Sequence, residues 1–137
     1  RFHSVQKGLQ SINKDGIIAI HDGVRPLISR NLIDNLTTQV KEGFGIIPVI
    51  PFSDSVRKIE NGVSMHIQRS NLYKVQTPQC FINKNIQKAY KQKFSHKFTD
   101  DASVFESNGG KIKTILGDIK NMKITTSEDL KIAGVLM

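Results

Sequence analysis

The sequence contains very little cysteine, no tryptophan and no long apolar run. One cysteine among 137 residues excludes an internal disulfide and any cysteine-rich metal site. Its apolar setting beside Phe81 predicts that Cys80 is a packed thiol without a chemical role. No segment is long and apolar enough to span a membrane, and no charged-then-apolar leader is visible. We therefore expect a cytoplasmic protein with no membrane partner.

Acidic residues are scarce relative to basic ones. The chain has 20 Lys and Arg against 12 Asp and Glu, which gives a formal net charge of +8 at pH 7. This excess favours anionic partners such as nucleotides, sugar phosphates or nucleic acid. Many of the lysines lie in a polar segment at residues 84–97, so an ordinary solvated surface explains the charge equally well. The aromatic residues are scattered and form no RNA-binding motif, so we expect no nucleic-acid partner.

The hydrophobic pattern of the first fifty residues predicts a single α/β unit. Apolar residues at helical spacing in residues 5–12 precede a short apolar run at 17–20. A helix capped by Ser29 and continuing to a stop at Gly43 then precedes a second buried run at 46–50. This alternation predicts an α/β sheet covered on both faces, in which ligands bind beyond the carboxyl ends of the strands. Residues 21–26 lie at such a position.

Residues 54–69 interrupt the alternation of helices and strands. They show a β-type alternation around Asn61-Gly62, the dipeptide that most favours a tight hairpin. The apolar residues of this segment are Val56, Ile59, Val63, Met65 and Ile67. An isolated hairpin is only marginally stable in water, so its apolar face needs a partner. We expect an inserted β-arm through which two subunits form a homodimer; pairing with the edge of the main sheet is the alternative.

The rest of the chain predicts further helices and strands. We expect a strand near residues 72–76, a polar helix after Asn83, and a helix that starts at residues 99–101 and ends at 108–110. A strand at 111–116 should follow, then a turn, an extended segment at 121–124, and a last helix capped by Thr126 or Ser127.

Several polar residues could carry chemistry, and each also has a structural explanation. Asp22 could receive substrate hydroxyls or help to hold a metal, and Arg25 offers a planar fork to a phosphate. The segment that contains both could equally be a rigid turn, in which His21 would have a packing or turn-bonding role. Taken alone, Arg69 and Lys123 are surface residues, and the Thr99-Asp100-Asp101 segment is a helix cap.

In their order along the chain, these motifs resemble those of one family. The matching segments are Arg1-Phe2-His3-Ser4-Val5, His21-Asp22-Gly23-Val24-Arg25-Pro26, Asp54-Ser55-Val56-Arg57, Arg69 with Leu72-Tyr73, Thr77-Pro78-Gln79-Cys80-Phe81, Thr99-Asp100-Asp101-Ala102-Ser103 and Asn121-Met122-Lys123-Ile124-Thr125. The chain is thereby similar to the 2-C-methyl-D-erythritol 4-phosphate cytidylyltransferases. The related ribitol-5-phosphate cytidylyltransferases are the closest alternative. Gly23-Val24 stands where the first family usually has two alanines, which leaves the acceptor open.

The resemblance implies a fold and a reaction. The fold would be a doubly wound, Rossmann-like mixed sheet of the nucleotide-diphospho-sugar-transferase type. The reaction would transfer a cytidylyl group from CTP to 2-C-methyl-D-erythritol 4-phosphate, with release of pyrophosphate, in non-mevalonate isoprenoid synthesis. Mg²⁺ would be held mainly by the CTP phosphates, so we expect no residue of this chain to be a metal ligand.

The resemblance also assigns roles to residues. Lys123 and Arg69 would be catalytic, with Arg69 reaching the acceptor phosphate from the arm of the partner subunit. The expected acceptor-binding residues are Asp22, Arg25, Ser55, Arg69, Thr99 and Lys123. Ser55 replaces the threonine usual in the family and keeps its hydroxyl. Asp22 would bind acceptor hydroxyls rather than act as an essential base, and Arg1 and Ser4 would lie on the nucleotide side.

One element of the family pattern has no counterpart before Arg1. This element is the opening strand with a Gly-rich, Arg-containing loop that binds the CTP triphosphate. We therefore expect residues 1–137 to form a single partial cytidylyltransferase domain that lacks its first nucleotide-binding unit. Such a piece should be inactive alone, whereas the complete protein should be an active nucleotidyltransferase. A catalytically inactive ligand-binding or dimerisation module is the alternative from another class.

Overall fold

The computed structural model describes residues 1–137, which form five α-helices and seven β-strands. The helices are α1 (Phe2–Gln10), α2 (Arg30–Thr38), α3 (Asn83–Ala89), α4 (Asp101–Ser107) and α5 (Ser127–Leu136). The strands are β1 (Ile17–Ile20), β2 (Phe44–Pro51), β3 (Val56–Glu60), β4 (Val63–Ile67), β5 (Tyr73–Val75), β6 (Gln79–Ile82) and β7 (Lys111–Leu116). A short 3₁₀ helix, Arg69–Asn71, follows β4. No helix has the length and apolar character needed to cross a membrane.

Five of the strands form one mixed sheet. β1 pairs antiparallel with β6, and both β6 and β5 pair antiparallel with β2. β7 pairs in parallel with β2 along residues 44–49 and so occupies its other edge. β5 and β6 therefore lie on the same edge of β2 and act as one strand that is interrupted at residues 76–78. It follows that β1, β2 and β7 run in the same direction and end at the same edge of the sheet.

Helices cover both faces of this sheet. On one face, α1, α3 and α4 surround Phe81. That cluster contains Phe2, Leu9, Phe81, Ile86, Ala89, Tyr90, Val104 and Phe105. On the other face, Leu32 and Leu36 of α2 pack against Ile46 and Cys80. Cys80 and Phe81 serve opposite faces because successive residues of a strand point to opposite sides. The predicted α/β sheet with two covered faces is thus confirmed.

Local sequence signals set the starts of three helices. The Ser29 hydroxyl caps α2 by accepting a hydrogen bond from the Leu32 N–H. Asp100 caps α4 and forms a reciprocal capping box with Ser103. Thr126 caps α5 in the same way with Asp129. Hydrogen bonds from Thr125 and then Thr126 lower the pKa of Asp129 to about 2, so this carboxylate supports α5 above its usual pKa and loses the effect as pH falls towards 2. These positions agree with the predicted caps.

Three elements differ from the sequence predictions. The hydrophobic pattern does not predict β6, because four residues after a proline are too short a segment to show a period. Residues 121–124 form no strand, although the Ile124 N–H donates to the Val24 carbonyl. Helix α2 ends at Thr38 instead of continuing to Gly43. The hydroxyls of Thr37 and Thr38 hydrogen-bond back to carbonyls of their own helix, a pattern that weakens a helix end.

The hairpin β3–β4 stands apart from the main sheet. Its strands pair only with each other, from Val56 opposite Ile67 to Glu60 opposite Val63. The turn at Asn61-Gly62 has φ values of 50° and 79°, as the turns preferred in two-residue hairpins require. The hairpin predicted within residues 54–69 is therefore observed over residues 56–67, and it does not pair with the edge of the main sheet.

The register of the hairpin sorts its apolar side chains between two faces. Directly paired residues project to the same side. Val56, Val63, Met65 and Ile67 therefore share one face, whereas Ile59 lies on the other. Lys58 and Glu60 lie on the first face as well, where they form an ion pair at 2.6 Å. The sequence analysis groups Ile59 with the other apolar residues of the hairpin. In the structure, Val56 and Ile59 lie three residues apart in the same strand, so their side chains point to opposite faces. We call the first four residues the apolar face of the arm.

The buried Cys80 thiol gives a direct test of the core. Cys80 is fully buried between β6 and α2, and burial raises the pKa of its thiol to about 12. Because the thiolate is the reactive form, we expect no reaction with a chromogenic thiol reagent at mildly alkaline pH in the folded protein. After denaturation, the single cysteine should react completely. Rapid reaction of the folded protein would contradict this packing.

Candidate active site

A polar pocket lies at the carboxyl edge of the sheet, where the loop after β1 meets the interruption between β5 and β6. Its volume is about 310 Å³. The pocket is lined by Arg1, Asp22, Arg25, Val75, Gln76, Thr77, Gln79, Thr99, Asp100 and Lys123. In open α/β sheets, this edge is the usual place for a ligand.

The Asp22 carboxylate is the electrostatic centre of the pocket. Its oxygens lie 3.3 Å from Arg25 Nε, 3.6 Å from Lys123 Nζ and 3.8 Å from Arg1 Nε. The side chains of Asp22 and Arg25 are largely shielded from solvent, whereas that of Lys123 is 48% exposed. Three cations thus converge on one carboxylate. Because the ammonium of Lys123 is exposed, it can contact an incoming anion while it stays close to Asp22.

The loop that carries Asp22 is held by a relay of hydrogen bonds. The Asp22 N–H donates to the Thr77 hydroxyl, which also contacts His21 Nδ1 at 3.0 Å. On the other side of the ring, His21 Nε2 lies 3.0 Å from the Arg25 carbonyl. A carbonyl only accepts, so Nε2 carries the proton and Nδ1 accepts from Thr77 in the neutral ring. His21 therefore has the turn-bonding role that its sequence context favours.

The pocket wall beside α4 contains an ion pair between Arg1, which is partly buried, and Asp101, which is fully buried. The Arg1 guanidinium donates to both oxygens of Asp101, at 2.9 and 2.5 Å, and the Tyr90 hydroxyl donates to the same carboxylate at 2.5 Å. Burial opposes the charge of Arg1, but the hydrogen bonds and the charge of Asp101 outweigh it, with smaller effects of Tyr90 and Asp22, and raise the pKa of Arg1. Burial and then Asp101 raise the pKa of Tyr90, which keeps its proton.

Because Asp101 neutralises Arg1, the cations best placed to bind an anion are Arg25 and Lys123. A further carboxylate, Asp100, lies on the opposite wall, where it accepts hydrogen bonds from the Gln79 amide and the Ser103 N–H. The pocket therefore offers two cations, and its acidic groups are already engaged by internal donors.

Five of the eight site residues predicted from sequence meet in this pocket. They are Arg1, Asp22, Arg25, Thr99 and Lys123. The other three lie elsewhere in the same chain. Ser4 is exposed on α1, and Ser55 is exposed beside the start of β3. Arg69 begins the 3₁₀ helix after the arm, and its guanidinium donates to the Ser53 carbonyl.

Four buried polar residues that support the pocket are not identified by the sequence analysis. Gln76, Thr77, Gln79 and Asn121 are between 0% and 5% exposed. Their side chains bind main-chain or side-chain groups of the neighbouring loops. Thr77, Gln79 and Asn121 lie inside the matching motifs, and this position is the only sequence feature that could have pointed to them. Their partners, however, are distant along the chain.

A larger cavity of about 960 Å³ lies on the α2 side of the sheet. It is bounded by the start of α2, the end of β2 and the loop after β7, and the Lys74 ammonium lies 5.2 Å from the centre of the Phe52 ring on its wall. Six of its 15 lining residues are hydrophobic, and its charged residues, Lys74, Asp118 and Lys120, form no ion pair with one another. Despite its smaller size, the polar pocket is the better candidate for catalysis. No group of three or more His, Cys, Asp or Glu side chains converges to hold a metal ion.

The sheet, its covering helices and the position of the pocket define an α/β protein with a nucleotidyltransferase-like fold. The sequence profile of the family described as "IspD: 2-C-methyl-D-erythritol 4-phosphate cytidylyltransferase" matches residues 1–137, so the chain belongs to this family.

Individual relatives agree with this assignment. A 2-C-methyl-D-erythritol 4-phosphate cytidylyltransferase from Azobacteroides pseudotrichonymphae is 46% identical over 140 residues, which cover 100% of this chain and 62% of that protein. One from Bacteroides fragilis is 41% identical over 137 residues and is covered to 63%. The crystal structure of the Francisella tularensis protein superposes with a TM-score of 0.88 at 28% identity, covering 100% of this chain and 68% of the other. The chain thus spans about 62% of the length of the curated relatives it matches.

The Arg1–Asp101 pair can be tested by removing its charge. Asp101→Asn removes the charge that accepts hydrogen bonds from Arg1, whose side chain is 37% exposed, so we expect a loss of about 1.5–3 kcal/mol in the free energy of unfolding. Urea denaturation followed by circular dichroism measures the change. Asp34→Asn is the matched control, because Asp34 is exposed on α2, and it should change stability by less than about 0.5 kcal/mol. Equal effects of the two substitutions would show that the pair does not stabilise the fold.

Proposed function

We propose that the protein transfers a cytidylyl group from CTP to 2-C-methyl-D-erythritol 4-phosphate and releases pyrophosphate. Membership of the family supports this reaction. The observation that carries the proposal is the convergence of Arg25 and Lys123 on Asp22 at the carboxyl edge of the sheet. That arrangement can draw two phosphate-bearing substrates together at one point.

In the proposed reaction, an oxygen of the acceptor phosphate attacks the α-phosphorus of CTP. The bond between the α-phosphorus and the oxygen bridging to the β-phosphate breaks, and pyrophosphate leaves with that oxygen. The attacking phosphate is already an anion, so the step needs no general base. The main task of the protein is to hold two polyanions in line against their repulsion, which cations can do. Lys123 is placed to contact the reacting phosphates, and Arg25 to hold the acceptor.

Asp22 has a second task in this proposal. Before substrates bind, it keeps the ammonium of Lys123 and the guanidinium of Arg25 close together by balancing their charges. When the phosphates arrive, the cations can turn to them, and the Asp22 oxygens become free to accept hydrogen bonds from acceptor hydroxyls. Thr99 adds a hydroxyl at the rim of the pocket, and Arg1 borders it on the nucleotide side.

We further propose that two chains form a homodimer through the arm. The apolar face of the arm supports this proposal, because Val63 and Met65 are 61% and 42% exposed in the single chain. Ser55 and Arg69 lie at the base of the arm and outside the pocket of their own chain. In a dimer, this position would allow Arg69 to reach the acceptor phosphate of the partner site, with Ser55 beside it.

Mg²⁺ would enter with CTP, held by the nucleotide phosphates, and would supply positive charge to them. The carboxylates at the pocket are a poor fit to a protein-held ion, because Asp22 faces three cations and Asp101 binds Arg1 and Tyr90. The reaction would take place in the cytoplasm, where CTP is available.

The choice of acceptor can be decided by comparing two substrates. Full-length protein should release pyrophosphate from CTP with 2-C-methyl-D-erythritol 4-phosphate at least about tenfold faster, in kcat/KM, than with ribitol 5-phosphate. A coupled pyrophosphate assay measures both rates. A preference for ribitol 5-phosphate would assign the related activity instead, and activity with neither acceptor would favour the inactive-module alternative.

The roles of Lys123 and Arg69 predict large losses of activity. Each charge-assisted contact with a phosphate contributes roughly 1.5–3 kcal/mol, so Lys123→Ala and Arg69→Ala should each lower kcat/KM by about 10- to 100-fold with little change in stability. Lys131→Ala, which removes an exposed lysine of α5, is the matched control and should keep full activity. Near-normal turnover of both variants would refute the assigned roles.

Mixing the two inactive variants tests the sharing of the site. If Arg69 serves the partner's pocket, a heterodimer of Lys123→Ala and Arg69→Ala chains contains one pocket with both intact residues. Co-refolded mixtures should therefore regain activity of about a quarter of wild type, since half of the dimers are mixed and each has one working site. Absence of recovery in mixtures that do exchange subunits would show that Arg69 acts within its own chain.

A further inference from the structure

Asn121 is a fully buried polar residue to which the proposed reaction gives no role. Its side-chain Nδ2 donates to the Thr77 carbonyl at 2.8 Å. Its main-chain carbonyl accepts hydrogen bonds from Arg25 Nη1 at 2.8 Å and from Gln76 Nε2 at 3.2 Å. Its main-chain N–H donates to the Asp118 carbonyl at 3.0 Å. One residue thus joins the loop after β7 both to the interruption of the β5–β6 strand and to Arg25.

This anchor lies two residues before Lys123. On the other side of Lys123, the Ile124 N–H donates to the Val24 carbonyl at 2.8 Å. The segment belongs to no helix or strand, so these two attachments fix its path across the pocket. They bring the half-exposed Lys123 ammonium to within 3.6 Å of Asp22.

The same residue also orients the guanidinium of Arg25. Arg25 binds Asp22 through Nε and the Asn121 carbonyl through Nη1. A planar group held at two of its nitrogens has a defined direction, which leaves the remaining N–H groups to face the pocket. Both phosphate-binding cations of the pocket therefore depend on the placement of one main-chain segment.

The side-chain oxygen of Asn121 has no hydrogen-bond partner, although it is buried. An unpaired buried acceptor costs free energy.

We propose that Asn121 is a positioning residue, which holds Lys123 and Arg25 in one arrangement for phosphate transfer. This inference rests on the proposed function. Asn121→Ala should lower kcat by at least about tenfold, since the cations would lose their common orientation. In a Lys123→Ala background, the same change should lower kcat by a smaller factor than in wild type, because only Arg25 is then left to orient.

Asn83→Ala is the matched control for the loss of a buried amide. Asn83 is 5% exposed, and its Nδ2 donates to the Lys14 carbonyl at the far end of β6. Both substitutions remove one buried donor to a main-chain oxygen, so both should lower the melting temperature. Only Asn121→Ala should lower kcat of full-length enzyme at a temperature where circular dichroism shows both variants to be folded. If Asn121→Ala does not fold, Asn121→Leu takes its place, because it has the same number of side-chain heavy atoms and lacks the donor.

Hydrogen exchange gives a measurement that does not require activity. The Ile124 amide should exchange at least about tenfold faster in Asn121→Ala than in wild type, and at the wild-type rate in Asn83→Ala. An unchanged rate, a wild-type kcat or full additivity with Lys123→Ala would overturn the positioning role. Wild-type protein that transfers no cytidylyl group would refute the proposed function, and the exchange data would still decide whether Asn121 fixes the segment that carries Lys123.

Discussion

The interruption of one strand at residues 76–78, together with Gln79 at the start of β6, is the constraint on which the site depends. The four residues are nearly fully buried, and their polar groups bind the three loops that form the pocket. Thr77 binds the loop after β1, Gln76 binds the loop after β7, and Gln79 binds the start of α4 through Asp100 and the Ala102 N–H. These are side-chain groups, which take no part in a β-ladder. The Thr77 carbonyl also accepts a hydrogen bond from the Asn121 amide, so the interrupted segment supports loops that have no regular structure of their own.

Charge balance is the second organising feature. Three cations near one another repel, and the carboxylates of Asp22 and Asp101 remove that cost before any substrate is present. The two acids differ in environment: Asp101 is fully buried and engaged by Arg1 and Tyr90, whereas Asp22 borders the pocket. Asp101 thus has a mainly structural position, while Asp22 can exchange its partners with a ligand. In the proposed reaction, Asp22 would then compete with the bound phosphates for the same cations, which favours release of products.

Sequence patterns predict the parts of the fold that depend on local signals. The runs that form β1, β2 and β7, the caps at Ser29, Asp100 and Thr126, and the Asn61-Gly62 turn are all visible in a few adjacent residues. β6 is not visible, because its place in the sheet comes from neighbours on both sides rather than from its own four residues. The pocket follows the same division. Motif order groups Asp22, Arg25 and Lys123, but the supporting contacts of Thr77 and Asn121 join segments more than forty residues apart and appear only in three dimensions.

The two ends of the arm are joined to each other where the arm meets the main sheet. Arg69 donates to the Ser53 carbonyl across the base of the arm, and neither β3 nor β4 exchanges a hydrogen bond with the main sheet. The entropy of closing a loop grows only slowly with its length. Residues between the two ends can therefore be added, removed or replaced without shifting the register of β2 or β5. The surface proposed for dimerisation can therefore diversify separately from the sheet edge that carries the polar pocket.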